Sequence, residues 1–179
     1  GNDIATFPDY PSEIRAPKGT LAGVSGFQVH FASTEVFTAG DRLDALVAMN
    51  PAGLRENLGD LQPNGVLIVD RDAFDARGLR LAGFETSPLE DGSLEGYRVL
   101  GAPITTLTRE AVASSELGRK LSERCRNFFA MGLVYWLYGR SLEPTLRFIE
   151  THFGHNAPVA EADRRSLQAG WNYGETTDA

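Results

Sequence analysis

The chain has 179 residues, 42% of them hydrophobic and 23% charged, with 19 glycines and 9 prolines; that mix excludes a disordered chain or a Pro/Gly-rich fibre and suffices for a core without disulfide or metal staples. Length sets the expectation of one domain. Seventeen basic residues against twenty-four acidic ones give a net charge of −7, which repels phosphate backbones and anionic membranes and argues against a nucleic-acid partner.

Ile4 to Phe7 reads as a short apolar strand, and Val24 to Ala32 alternates Phe27, Val29 and Phe31 against Gln28 and His30, the pattern of a half-buried strand. Ala45 to Met49 is continuously apolar, as in a strand buried on both faces, and Asn50-Pro51 ends it and opens a helix over Ala52 to Leu61. Pro63-Asn64-Gly65 predicts a turn, and Val66 to Val69 a second fully apolar strand. Asp70 or Asp72 is placed to cap a helix over Ala73 to Leu81, and a polar loop follows from Glu85 to Gly96. Tyr97 to Ile104 reads as a further strand, after which Thr106 or Thr108 caps a helix that stops at Leu117-Gly118.

From Arg119 to Gly139 the pattern predicts one long helix, polar at first and then apolar almost all round, which implies burial against another element or a partner chain. Ser141 to Phe153 and Val159 to Trp171 form a helical C-terminal tail. The expected class is therefore α/β, a Rossmann-like parallel sheet with flanking helices and that tail. The longest apolar run, Phe128 to Tyr138, falls short of the roughly 20 residues that span a bilayer, so no membrane segment is expected. The single Cys125 cannot pair within the chain, and Gly1-Asn2-Asp3 is no basic-then-apolar leader, so a reducing cytoplasm is the expected compartment.

Ligands of open parallel sheets collect outside the carboxyl ends of the strands, here Pro8 to Lys18, Asn50, Asp70-Arg71 and Thr105-Thr106. The first of these loops is stiffened by Pro11 and Pro17, and Arg15 offers a bidentate fork for phosphate or carboxylate, with Lys18 as a second cation and Gly19 allowing close backbone approach. That composition suits a phosphorylated or acidic ligand. The competing possibility is that Glu13 and Arg15 pair with each other to pin a loop. His152 and His155 are separated by Gly154, a helix stop, with no acidic or thiol cluster to complete a metal site, so they read as surface residues. Cys125 lies between Arg124 and Arg126, which could lower its pKa, yet without an obvious base it reads as a packing residue. No Gly-x-Gly-x-x-Gly or Walker pattern follows any predicted strand, so no self-contained phosphate-cradling loop is expected, and without a Gly-x-Ser-x-Gly elbow or a His placed as general base independent hydrolytic catalysis is unsupported.

The loop Pro8-Asp9-Tyr10-Pro11-Ser12-Glu13-Ile14-Arg15-Ala16-Pro17-Lys18-Gly19-Thr20 with Gly23-Val24-Ser25-Gly26-Phe27-Gln28 resembles the gamma domain of 2-oxoacid:ferredoxin oxidoreductases. Val47-Ala48-Met49-Asn50-Pro51, Gly65-Val66-Leu67-Ile68-Val69-Asp70, Arg126 to Leu133 and Ala169 to Thr176 extend the resemblance over nearly the whole chain, to the form with gamma fused ahead of the alpha part and to the 2-oxoglutarate type. The resemblance implies oxidative decarboxylation of a 2-oxoacid with coenzyme A, with electrons leaving through iron–sulfur clusters to ferredoxin. Thiamine diphosphate with Mg and the clusters would sit in the alpha and beta parts; one cysteine cannot supply a cluster's thiolates.

In that frame residues 1–179 are the coenzyme A side of a composite site, not catalytic alone. Arg15 and Lys18 would meet coenzyme A phosphates, Tyr10, Ser12 and Glu13 would shape the entrance, and Asn50 is a further binding candidate. Gamma domains of the family begin with a strand, a Gly-rich turn and a helix that this chain lacks, and Gly174-Glu175-Thr176-Thr177 resembles the join to the alpha part, so the chain is expected to belong to a longer polypeptide. A free nucleotide-binding Rossmann-like module and a purely structural assembly domain docking through Phe128 to Tyr138 are the rival readings.

Overall fold

The computed structural model describes residues 3–8, 24, 26–32, 42–115 and 117–177. Strands β1 (Asp3–Pro8) and β2 (Phe27–Ala32) pair antiparallel in a two-stranded sheet of their own, Asp3 opposite Ala32 and Pro8 opposite Phe27. Pro8 sits at the end of its strand, where a missing N–H costs the ladder least. The second sheet has the order β3 (Leu43–Ala48), β4 (Leu61–Asp70), β5 (Arg98–Ala102), with β3 parallel to β4.

Asn50 starts α1 (Pro51–Asn57), its Oδ1 accepting the Gly53 N–H at 2.7 Å, and Pro51 occupies the first turn, where no donor is missed. The helix is shorter than its pattern suggested. A 3-10 turn over Leu58–Asp60 follows, and Leu61, expected to close the helix, instead opens β4 as a core residue. The turn expected at Pro63-Asn64-Gly65 lies within β4: Leu43 pairs with Leu61 but Ala45 pairs with Val66, so these residues bulge from the ladder. Asn64 takes φ 63, a left-handed conformation that Asn tolerates, and the strand resumes beyond it.

Leu67, Ile68 and Val69 in β4 are completely buried, as expected of a strand covered on both faces. The same expectation for Ala45 to Met49 is corrected: only Ala48 is buried, and Ala45, Leu46, Val47 and Met49 are half-buried. Ala48, Leu54, Leu61, Leu67, Val69, Phe74 and Leu94 form one core cluster. α2 (Ala76–Leu81) starts later than predicted, after a 3-10 turn over Arg71–Ala73, and its cap is Asp75, which accepts the Gly78 N–H at 2.6 Å. Asp70 and Asp72 are engaged elsewhere.

The described helices continue with α3 (Ile104–Ala111), α4 (Arg119–Arg124), α5 (Arg126–Leu137), α6 (Glu143–Phe153) and α7 (Ala157–Thr177). Ile104 begins α3 rather than ending β5, because Pro103 cannot extend the ladder, and α3 stops at Val112, short of Leu117-Gly118. Gly118 instead precedes α4. The single helix expected from Arg119 to Gly139 breaks at Cys125, whose N–H turns back to the Ser122 carbonyl at 3.2 Å and tightens the last turn of α4. Gly139, at φ 58, ends α5 and lets the Arg140 N–H return to the Tyr135 carbonyl at 2.7 Å.

α5 buries Phe129, Ala130, Gly132 and Leu133, which bears out burial for its apolar run. Its close partner is α7, and the approach is backbone to backbone: a Cβ on Gly132 would strike the Leu167 carbonyl, and one on Gly170 the Phe129 carbonyl. Among the described residues no helix is long and apolar enough to cross a membrane. The chain divides into two compact units, Gly1–Val69 with Ala73–Leu100, and Asp70–Asp72 with Gly101–Ala179.

Candidate functional site

At the carboxyl end of β4 the apolar run Val66–Val69 gives way to Asp70, a carboxylate with no exposure to solvent. A buried charge of that kind persists only when partners replace its hydration. Asp70 has four. Its Oδ2 accepts the Thr105 hydroxyl at 2.5 Å and lies 3.5 Å from the Arg126 guanidinium, while its Oδ1 accepts the backbone N–H groups of Thr105 at 3.2 Å and Asp72 at 3.3 Å. Arg126 also donates to Thr105 Oγ1 at 3.0 Å and to the Glu123 carbonyl at 3.0 Å. Asp72 accepts the Thr106 N–H at 2.7 Å.

The two aspartates expected to cap the helix after β4 therefore cap a different one. They satisfy the first free N–H groups of α3, to which Thr106 and Thr108 contribute no side-chain cap. The peptide between them is pinned from both sides, and it carries Arg71. The Arg71 side chain is exposed, and its stem lies over Gly101 of β5: a Cβ there would come within 2.8 Å of Cδ and 3.0 Å of Cγ. The Tyr173 hydroxyl reaches the Gly101 carbonyl at 3.5 Å.

Of the six binding residues expected from the sequence, Tyr10, Ser12, Glu13, Arg15 and Lys18 lie outside the described residues. Asn50 is described, as the α1 cap. Asp70-Arg71 and Thr105-Thr106, marked out as strand ends, do converge. Arg126 was missed because it lies 21 residues beyond Thr105 on another helix; the only available signal was an acidic residue closing an apolar strand.

The Cys125 thiol is buried and pushed up to about 12, first by desolvation and then by the Asp163 carboxylate, so the lowering suggested by Arg124 and Arg126 is overturned. Arg126 is spent on Asp70. Asp163, itself buried, is raised by desolvation, with the Cys125 hydrogen bond working against that rise. His152 and His155 are exposed, and His152 stacks on Phe148 at 4.0 Å. Among the described residues no group of three or more His, Cys, Asp or Glu side chains could hold a metal ion.

Among the described residues a polar cluster thus closes the carboxyl end of β4, the end at which open α/β sheets commonly receive ligands. Residues 1–173 match the profile of the pyruvate ferredoxin/flavodoxin oxidoreductase family, and the chain belongs to that family. It is 51% identical over all 179 residues to the 2-oxoglutarate oxidoreductase subunit KorA of Mycobacterium tuberculosis, and it spans 27% of that relative's length. Two solved structures share the fold. One is the 2-oxoglutarate:ferredoxin oxidoreductase of Magnetococcus marinus with 2-oxoglutarate, coenzyme A and succinyl-CoA bound, at 20% identity and TM-score 0.70, covering 98% of this chain and 26% of that one. The other is the keto/oxoacid ferredoxin oxidoreductase gamma subunit of Geobacter sulfurreducens, at 17% identity and TM-score 0.59, covering 96% and 82%. At these identities the likeness is one of fold.

Proposed function

We propose that this chain is the coenzyme A side of a 2-oxoglutarate:ferredoxin oxidoreductase, completed by the alpha and beta parts of the same enzyme. The observation that carries the reading is the 51% identity to a 2-oxoglutarate oxidoreductase subunit along every residue of the chain. In the reaction the bond between the carboxyl and the keto carbon breaks, carbon dioxide leaves, the acyl carbon is oxidised by two electrons that pass to ferredoxin, and the coenzyme A thiol loses its proton as it takes the acyl group. Thiamine diphosphate would supply the electron sink that decarboxylation needs.

One cysteine, buried against Asp163, cannot supply the thiolates of an iron–sulfur cluster, so a cluster would be held by partner parts, where the family resemblance also puts thiamine diphosphate and Mg. What this chain supplies is binding and orientation. Arg15 and Lys18 neutralise coenzyme A phosphates, Tyr10, Ser12 and Glu13 border the thiol's path, and Asn50 holds the start of α1 at the end of β3. The reducing cytoplasm suits a reaction that feeds low-potential ferredoxin.

Anaerobic assay of the complete, assembled enzyme tests the reading. It predicts reduction of ferredoxin that requires both 2-oxoglutarate and coenzyme A and yields succinyl-CoA. Turnover without coenzyme A, or no oxidation of any 2-oxoacid, contradicts it.

A further inference from the structure

Resting on the function proposed above, we infer that Arg71 is a specificity-determining residue that holds a phosphate group of the incoming coenzyme A. Four observations converge on it. Arg71 directly follows the carboxyl end of β4, the position from which open α/β sheets address their ligands. Its backbone is immobilised on both sides, by the buried Asp70 with its four partners and by Asp72 on the Thr106 N–H, so the cation springs from a rigid base.

Its stem lies across Gly101, and a glycine within a strand forgoes packing, a loss that close approach of another group explains. Its guanidinium is exposed, and among the described residues no carboxylate answers it, a state it shares with Arg77, Arg80, Arg98 and Arg124, so its place beside the strand end and over Gly101 is what sets it apart. The two flanking aspartates do not neutralise it. Asp70 faces inward to Arg126 and Asp72 is turned onto the start of α3. A fork with five donors and no partner among the described residues is matched to the oxygens of a phosphate.

The test uses the assembled enzyme with two thiol acceptors, coenzyme A and pantetheine, which carries the same thiol and no phosphate. Arg71→Ala is expected to raise the KM for coenzyme A roughly ten- to hundredfold, the range for loss of one charge-assisted contact. The KM for 2-oxoglutarate and kcat at saturating coenzyme A stay within about twofold, and the preference for coenzyme A over pantetheine falls by the same factor as the KM rises. Arg71→Lys restores part of the preference, since a point charge replaces the fork. Gly101→Ala, which displaces the stem and keeps the charge, shifts the KM for coenzyme A in the same direction. An unchanged KM and preference in Arg71→Ala, with the wild type showing coenzyme A-dependent turnover, overturns the role of Arg71 and leaves the proposed function standing. Absence of coenzyme A-dependent turnover in the wild type overturns both.

Discussion

Asp70 has no contact with solvent, so the Arg126 guanidinium and the three hydrogen bonds it accepts replace its hydration. Deleting the carboxylate leaves Arg126, about a third exposed, without its counter-ion, and the Thr105 and Asp72 backbone N–H groups without their acceptor. Asp70→Ala is therefore expected to cost about 2–3 kcal/mol, a fall in Tm of roughly 5–10 °C, and a double variant with Arg126→Met to cost less than the two single changes together, as a shared network requires. Thermal melts of the three variants check this. The buried pair Cys125 and Asp163 yields a different prediction. With its thiol at about 12, native Cys125 should resist iodoacetamide at pH 8 and react only on unfolding. The folded Asp163 holds its proton more tightly than the unfolded one, so its contribution to stability is full below pH 3.8 and is lost as pH rises through the elevated value. Urea unfolding between pH 4 and 8 should show that decline in the wild type and a flatter profile in Asp163→Asn. Asp70 could be read from the chain as the end of an apolar run. Thr105 could be placed near it as another strand end, but Arg126 could not, because no spacing rule links position 126 to positions 70 and 105.

Among the elements, α5 and α7 carry the most distinctive packing. Replacing glycine by alanine inside a helix ordinarily stabilises by about 1 kcal/mol. Here the sign reverses: the Cβ at Gly132 or Gly170 meets a carbonyl of the facing helix, so the helices must separate, and each substitution should cost roughly 1–3 kcal/mol. At Gly174 the obstacle is the Trp136 ring, a side chain that can turn aside, so Gly174→Ala should be the mildest of the three. Melting temperatures in that order support the close backbone approach; a stabilising Gly132→Ala contradicts it. Leu133→Asp, at a fully buried position of α5, should abolish folding or assembly. The apolar content of α5 was legible because a run without a polar face has nowhere to go but inside. The break at Cys125 was not, since a 3-10 closure to Ser122 depends on one backbone hydrogen bond that no residue type announces. The Pro63–Gly65 bulge shows the same limit: its turn chemistry was plain, while continuation of the strand beyond it was decided by Val66 rejoining Ala45.

For the whole molecule, the α/β class followed from alternating strand and helix patterns, and the fold shared with the Geobacter sulfurreducens gamma subunit agrees with it. Pairing of β1 with β2 as a separate antiparallel sheet was not legible, because alternation states that a strand has one buried face without stating its neighbour. The functional reading rests on extended identity to a relative of whose length this chain spans 27%. The central claim is that this part serves coenzyme A. It is met most directly by steady-state kinetics of Arg15→Ala in the complete enzyme, with both substrates varied: a KM for coenzyme A raised roughly ten- to hundredfold beside a nearly unchanged KM for 2-oxoglutarate is the predicted result, and a loss confined to 2-oxoglutarate, or a fall in thermal stability shared with Glu13→Ala at unaltered coenzyme A kinetics, would contradict it.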